Sequence, residues 1–285
     1  MIGIVGGTGL YDLELTGAEW RTIESPFGAP SDAVLTGKLD SHEVAFLPRH
    51  GRGHRIPPHE INFRANIDVL KRAGATSLLS ISAVGSLRED LPPGTFVLVD
   101  QFVDRTLRGP KTFFGTGCVA HVSMAHPTCA GMLDALAAAG ADAKLSLVRG
   151  GTYLAMEGPQ FSSLAESELH RQLGCDVVGM TNMPEAKLAR EAELCYATVA
   201  MVTDFDCWHP EHDHVKVADV VRVLLANAEH ARTLVRHAVP KLAQPRPCAH
   251  GCNTSLDNAI LTAPGSRDPA LCATLSAIAG RVLGT

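Results

Sequence analysis

The sequence Tyr196-Ala-Thr-Val-Ala-Met-Val-Thr-Asp-Phe-Asp-Cys-Trp208 joins an apolar run to two carboxylates, Asp204 and Asp206. The apolar run predicts a buried strand, and alternate residues of a strand lie on one face. Both carboxylates then point into the same space. Two acids that face one site raise each other's pKa, so one can stay protonated near neutral pH and donate to a planar, hydrogen-bonding ligand. The alternative is a solvated turn that carries two acidic residues.

Other strand-like runs alternate with segments of helical spacing, and this alternation predicts an α/β fold. The expected strands are 2–5, 43–47, 77–82, 95–99, 176–179 and 197–201. The expected helices are 62–72, 127–139 with its end at Gly140, 184–192, and a long helix whose apolar stripe runs from Val217 to Ala231.

The chain of 285 residues contains no convincing linker, so we expect a single domain over 1–285. The segment 244–252 lacks periodicity and breaks the preceding helix, which divides a core, 1–240, from a C-terminal extension, 245–285. A net charge of −5 without a basic block argues against nucleic-acid binding. No apolar run approaches about 18 residues and no signal peptide is evident, so we expect a cytoplasmic protein without a membrane span.

Among the eight cysteines, Cys248 and Cys252 are the one close pair, and His250 lies between them. A zinc knuckle usually combines two such pairs. Since the sequence shows no second pair, we expect no metal site. A disulfide between the two is the alternative, although disulfides are rare in a reducing compartment.

Polar side chains follow several of the predicted strands, at the edge where open α/β sheets bind ligands. Glycine-rich 6–9 suits an anion but departs from the dinucleotide-binding spacing. An arginine beside a histidine forms either an oxyanion clamp or a charged surface loop. With no Gly-x-Ser-x-Gly elbow, we expect anion-assisted group transfer without a metal. The strand-end residues are Thr8, Arg49, Ser82, Thr181 and Asp204.

Eight short motifs occur in order between residue 2 and about residue 240. They are Gly6-Gly-Thr-Gly-Leu10, Ser25-Pro-Phe-Gly28, Arg49-His-Gly51, Asn62-Phe-Arg-Ala-Asn66, Glu157-Gly-Pro-Gln-Phe161, Met180-Thr181, Pro184-Glu185 and Thr203-Asp-Phe-Asp-Cys-Trp208. Together they resemble the 5′-methylthioadenosine phosphorylase family, which belongs to the trimeric purine nucleoside phosphorylases. The segment after 245 matches that family less well.

The resemblance implies a central mixed sheet flanked by helices and a role for each matching residue. The phosphate-binding residues would be Thr8, Arg49, His50, Ser82, Ala83 and Thr181. Met180 would lie against the ribose and Phe161 against the purine. Asp204 would be the general acid at N7, and Asp206 would accept from the 6-amino group. The 5′-methylthio pocket would be formed by Val215, Val217 and Val220, and His121 would reach a neighbouring subunit's site.

The activity that the resemblance implies is phosphorolysis of S-methyl-5′-thioadenosine to adenine and 5-methylthioribose 1-phosphate. Inorganic phosphate would be a co-substrate, no cofactor is expected, and the chain would form a homotrimer or hexamer. Asp204 stands where 6-oxopurine members usually have asparagine, which favours adenine. The alternatives are a broader purine nucleoside phosphorylase that accepts methylthioinosine, inosine or adenosine, a catalytically silent nucleoside-binding protein, and a nicotinamide-dependent dehydrogenase.

Overall fold

A mixed sheet of eleven strands runs through the part of the chain that the computed structural model describes, residues 1–7, 10, 13–211, 217–246 and 248–284. Seven α-helices accompany it over the same residues. The strands are β1 Ile2–Gly6, β2 Thr16–Arg21, β3 Val34–Leu39, β4 His42–Pro48, β5 Ser77–Ser86, β6 Phe96–Val99, β7 Gln101–Asp104, β8 Leu147–Arg149, β9 Thr152–Ala155, β10 Val177–Gly179 and β11 Cys195–Asp204. The helices are α1 Phe63–Arg72, α2 Ala130–Asp142, α3 Leu164–Gln172, α4 Asn182–Glu191, α5 Val217–Leu242, α6 Pro269–Thr274 and α7 Ser276–Leu283.

Strand β5 is the centre of the sheet because it pairs with three other strands. It lies parallel to β1 and to β11, and its last residues pair antiparallel with β10. Beyond β1 the sheet continues through β4 and the antiparallel strands β3 and β2, and beyond β10 through β9 and β7. Strand β11 also pairs with β6, which pairs with β8. The carboxyl ends of β1, β4, β5 and β11 therefore meet at one edge.

The sheet has helices on both faces, and β11 shows how its residues divide between them. Tyr196, Ala200 and Val202 join the apolar cluster that includes residues of α1, α4 and α7. Ala197 and Val199, which alternate with them, join the cluster that includes residues of α2 and α5. A strand covered on both faces is apolar throughout, which explains the continuous apolar run in the sequence.

The predicted α/β fold and its mixed central sheet are confirmed, as is every predicted strand. The predicted end of α2 at Gly140 was wrong, because the helix continues to Asp142. A Cβ at Gly140 would lie 2.6 Å from Cδ1 of Leu147, so this glycine permits close packing of α2 on β8. Strands β2, β3, β7, β8 and β9 and helix α3 were not predicted.

The C-terminal extension packs on the rest of the molecule through backbone pairing and apolar contacts. Ala120 and Ile260 form an isolated antiparallel bridge, and the His121 N–H donates to the Ala259 carbonyl at 3.0 Å. Leu275 and Ile278 are buried in the same cluster as α1 and α4. None of the helices described is both long and apolar enough to cross a membrane.

Candidate active site

A cavity of about 690 Å³ opens at the sheet edge where β1, β4, β5 and β11 end. Strand β10 runs antiparallel to β5, but its last residues still reach the cavity because Val178 pairs with Gly85 near the end of β5. The sheet edge thus gathers the predicted strand-end residues that the structure describes. The predicted residues that line the cavity are Arg49, His50, Ser82, Ala83, Phe161, Met180, Thr181, Asp204, Asp206, Val217 and Val220.

Asp204 and Asp206 form a partly enclosed acidic pair, so the solvated turn is ruled out. The Thr203 hydroxyl donates to Asp204 Oδ2 at 2.7 Å, and the Asp206 N–H donates to Asp204 Oδ1 at 2.8 Å. Burial raises the pKa of Asp204, and the neighbouring Asp206 charge adds to the rise against those two hydrogen bonds. Asp206 is buried, and its Oδ2 has no hydrogen-bond partner among the described residues.

Gly85 gives the acidic pair the room that it occupies beside β5. A Cβ built on Gly85 would lie 2.9 Å from Asp204 Oδ1 and 3.3 Å from Asp206 Cβ. Real Cβ atoms do not approach an oxygen so closely, so any larger residue displaces the carboxylate. Gly85 is therefore part of the site, although it carries no functional group.

Arg49 lies deeper than a surface clamp, because most of its N–H groups bond to the protein. Its Nε donates to Glu185 Oε2 at 2.8 Å, and its Nη2 donates to Ser80 Oγ at 2.7 Å. Its Nη1 donates to the Ile81 carbonyl at 3.0 Å. Within the described part of the chain, one Nη1–H remains for a ligand. The charged surface loop is ruled out, since Arg49 is buried.

His50 faces the cavity as a neutral imidazole. Burial lowers its pKa from 6.5 to about 4, and the nearby Arg49 charge contributes to the drop. Its Nδ1 lies 2.9 Å from the Ile56 carbonyl oxygen, which can only accept, so Nδ1 carries the proton. The Nε2 lone pair is then available to accept a hydrogen bond.

Thr181 and Ser82 both line the cavity, Thr181 from the segment after β10 and Ser82 from the middle of β5. Thr181 immediately precedes α4, and its buried Oγ1 has no partner in the described ranges. The Ser82 hydroxyl donates to Asn182 Oδ1 at 3.3 Å. A helix N-terminus and an unpartnered hydroxyl both favour an anion at this point.

Apolar side chains cover the rest of the cavity. Phe161, 40 % exposed, and Val217, 65 % exposed, stand at the open side. Val221 and Leu224 join Val217 and Val220 on α5, although we did not predict them as site residues. The apolar stripe along α5, which is visible in the sequence, could have predicted both residues.

The outcome differs for the three remaining predicted residues. Thr8 and Val215 lie outside the described residues. His121 is exposed and does not line the cavity, so its predicted role at a neighbouring subunit's site stays a prediction.

Glu185, Thr203 and Gly85 support the site, and we did not predict them as site residues. Glu185 and Thr203 occur in the motifs quoted above, but the sequence does not show which buried group each one contacts. The sequence shows Gly85 as a glycine after an apolar run, but it does not show that the acidic pair lies against it.

No group of three or more His, Cys, Asp or Glu residues with metal-ligand spacing lies in the described part of the cavity. Such a group does occur elsewhere in the chain, where Cys129 and Cys195 lie beside the pair Cys248 and Cys252. None of these four cysteines lines the cavity.

Known proteins resemble this chain in both sequence and fold. The sequence pattern of the Phosphorylase superfamily matches residues 1–240. An S-methyl-5′-thioadenosine phosphorylase of Rhodospirillum rubrum is 63 % identical, and the alignment covers 100 % of this chain and 97 % of that protein. A crystal structure of methylthioadenosine phosphorylase from an antarctic soil metagenomic library has a TM-score of 0.92 at 45 % identity and covers 97 % of this chain and 98 % of that one.

A third relative was solved with a bound nucleoside. It is a mutant adenosine/methylthioadenosine phosphorylase of Schistosoma mansoni in complex with methylthioadenosine. It has a TM-score of 0.83 at 36 % identity, and the match covers 94 % of this chain and 99 % of that one. The chain belongs to the phosphorylase superfamily and, within it, to the methylthioadenosine phosphorylase family.

Proposed function

We propose that the protein catalyses phosphorolysis of S-methyl-5′-thioadenosine to adenine and 5-methylthioribose 1-phosphate. The observation that carries this proposal is the acidic pair in the cavity. Asp204 has a raised pKa and is suited to hold a proton, whereas buried Asp206 offers an acceptor that lacks a partner among the described residues. An adenine ring needs one donor at N7 and one acceptor for its 6-amino group, and the pair supplies both.

The phosphate would bind at the opposite side of the cavity, between the ends of β4, β5 and β10. The free Nη1–H of Arg49 and the Thr181 hydroxyl would donate to its oxygens. His50 accepts at Nε2 while it is neutral, so it suits the remaining P–OH of the phosphate monoanion. Thr8, Ser82 and Ala83 complete the predicted phosphate set.

The reaction forms a bond between a phosphate oxygen and C1′ of the ribose and breaks the bond from C1′ to N9. The electron pair of that bond passes to the purine, and a proton from Asp204 at N7 neutralises the charge. The two clusters of polar residues hold both reactants at one strand edge, which removes a large entropic part of the barrier. No cofactor takes part in this scheme.

Two features of the cavity would set the choice of nucleoside. Asp206 accepts from a 6-amino group and, when ionised, repels a 6-oxo group. Val217 and Val220 offer an apolar surface for the 5′-methylthio group, as do Val221 and Leu224. An apolar pocket discriminates by only about 1–3 kcal/mol, so adenosine should react more slowly rather than not at all.

The assembly that we propose is a homo-oligomer, a trimer or hexamer, in the cytoplasm. Exposed apolar side chains at Phe161, Val217 and Leu225 support an oligomer, because a partner subunit would cover them. The exposed position of His121 suits contact with that partner. None of the eight cysteines, all of them described, forms a disulfide, which fits a reducing compartment.

The decisive experiment measures adenine release from methylthioadenosine with and without inorganic phosphate. We expect release only with phosphate, and a higher kcat/KM than with methylthioinosine. Nucleoside binding without turnover would instead identify a silent binding protein. A strong preference for methylthioinosine would identify a 6-oxopurine enzyme and contradict the assigned role of the acidic pair.

A further inference from the structure

Four cysteines from three separate parts of the chain converge at one point. Cys129 immediately precedes α2, Cys195 is the first residue of β11, and Cys248 and Cys252 belong to the C-terminal extension. Their four Sγ atoms all lie within 4.8 Å of one another. The folded chain therefore brings four cysteines together, whereas the sequence shows only Cys248 and Cys252 close to each other.

The distances suit a tetrahedral thiolate site. Zinc bound at about 2.3 Å from each sulfur places the sulfurs roughly 3.8 Å apart. Cys195 Sγ and Cys248 Sγ are 3.9 Å apart. The Cys252 N–H also donates to Cys248 Sγ at 3.0 Å, an outer hydrogen bond of the kind that orients metal-bound thiolates.

The surroundings place positive charge near the cluster. Cys129 lies at the N-terminus of the 13-residue helix α2, where the backbone favours negative charge. The buried Arg190 guanidinium donates to the carbonyl of His250, which lies between Cys248 and Cys252 in the chain.

We propose that Cys129, Cys195, Cys248 and Cys252 bind one structural Zn²⁺ ion. Four thiolates and no open position are typical of a structural zinc site rather than a catalytic one. The site also lies apart from the cavity, since none of the four residues lines it. The ion gives the C-terminal extension a function, because it fastens the extension to the start of β11 and of α2.

The C-terminal extension also pairs with the segment that carries His121. Residues 119–121 pair with residues 259–262 of the extension, including the Leu261 N–H, which donates to the Val119 carbonyl at 2.8 Å. Loss of the ion therefore releases the extension and removes support from the segment that carries His121.

The test is the metal content of the full-length chain, purified with a thiol reductant and without added metal. We expect about one zinc per chain by elemental analysis. Cys248→Ser and Cys252→Ser should lose most of it, whereas Cys272→Ser should keep it. Cys272 is a matched control because it lies in the same extension and is buried, but it is not part of the cluster.

Measurements on the unmutated protein keep the proposal testable if the variants fail to fold. Replacement of zinc by Co²⁺ should give thiolate-to-cobalt charge-transfer absorption, and chelation should speed proteolysis around 244–246. Three results would overturn the proposal. The protein could contain no metal, with all four thiols open to alkylation, or it could contain iron in place of zinc. The thiols could also be protected from alkylation until a reductant is added, which would indicate disulfides. The outcome is independent of the phosphorolysis assay, because none of these readouts uses activity.

Discussion

Arg49 and Glu185 form an ion pair inside the protein, with 2.8 Å between Nε and Oε2 and both side chains almost wholly buried. The second carboxylate oxygen, Oε1, accepts from the hydroxyls of Ser80 at 2.6 Å and Tyr196 at 2.9 Å. Glu185 thus holds the arginine in position while buried hydroxyls hold Glu185. The buried Arg49 charge therefore has its counter-charge inside the protein, and Arg49 also lines the cavity in which we propose that phosphate binds.

Glu185→Gln keeps the shape of the side chain but leaves the buried Arg49 charge without a partner. We expect the free energy of unfolding to fall by about 3–5 kcal/mol and KM for phosphate to rise. Denaturant titration and initial rates at varied phosphate check the two effects. Asp90→Asn, which breaks the exposed pair between Arg88 and Asp90, is the control and should leave stability near the wild-type value. Equal losses in the two variants would contradict the role of Glu185.

Thr181→Val removes a hydroxyl whose oxygen has no partner among the residues described. Stability should stay the same or rise, because a methyl group replaces a buried hydroxyl that makes no hydrogen bond within the described structure. KM for phosphate should rise about tenfold or more, because the hydroxyl donates to an anion, whereas KM for the nucleoside should stay the same. Initial rates at varied concentrations of each substrate separate the two constants.

Thr198→Val is the matched control for that substitution. The Thr198 hydroxyl is buried and donates to Asn182 Oδ1 at 3.2 Å. Its loss should lower stability by about 1 kcal/mol and leave KM for phosphate near the wild-type value. If Thr181→Val instead destabilises the protein like Thr198→Val and spares KM, Thr181 does not bind phosphate.

Asp204→Asn removes the proton donor that we assign to purine N7. We expect kcat with methylthioadenosine to fall by about 10²–10⁴-fold, since general acid catalysis contributes on that order. The ratio of methylthioinosine to methylthioadenosine turnover should rise, because an amide carries two N–H donors and can donate to a 6-oxo group as well as to N7. Rates with both nucleosides at saturating phosphate measure the change. Unaltered selectivity for adenine would remove Asp204 from the mechanism.

Short-range pattern was enough to predict six of the eleven strands and the polar residues that follow several of them. The run from Tyr196 to Met201 is mostly apolar because helices cover both faces of β11. Such a run can be recognised in the sequence. The short strands β7 to β9 were missed because three or four residues give no periodicity to detect.

Contacts between distant residues were beyond the reach of that pattern. The sequence showed an arginine beside a histidine, but not that Glu185, 136 positions away, would neutralise Arg49. Cys129 and Cys195 stand alone in the sequence, and only the fold brings them to Cys248 and Cys252. The sequence alone therefore led us to expect no metal site, whereas the folded structure supports our proposal of a zinc site.

The depressed pKa of His50 makes stability depend on pH in a defined window. The folded protein binds fewer protons at this site than the unfolded chain, because the pKa falls from 6.5 to about 4 on folding. Stability from His50 is therefore fully present above pH 6.5 and is lost as the pH falls toward 4. The loss is about 3 kcal/mol at most. Denaturant titration across this window should show a shallower slope in His50→Gln than in the wild type.

His237→Gln is the control for that measurement. His237 is exposed on α5, so its replacement should leave the pH dependence of stability as it is in the wild type. A wild-type slope in His50→Gln, or a flat profile in both proteins, would show that His50 is not the neutral buried histidine of this site.

Gly85→Ala tests whether the close approach of the acidic pair to β5 matters for catalysis. The added Cβ would lie 2.9 Å from Asp204 Oδ1, so the carboxylate has to move. Since misplacement by about 1 Å is enough to cost 10²-fold, we expect kcat/KM for methylthioadenosine to fall by about that factor. Gly109→Ala is the control, because a Cβ there meets no atom within 4 Å. Its rates should match the wild type, and wild-type rates in Gly85→Ala as well would mean that the position of Asp204 does not limit the reaction.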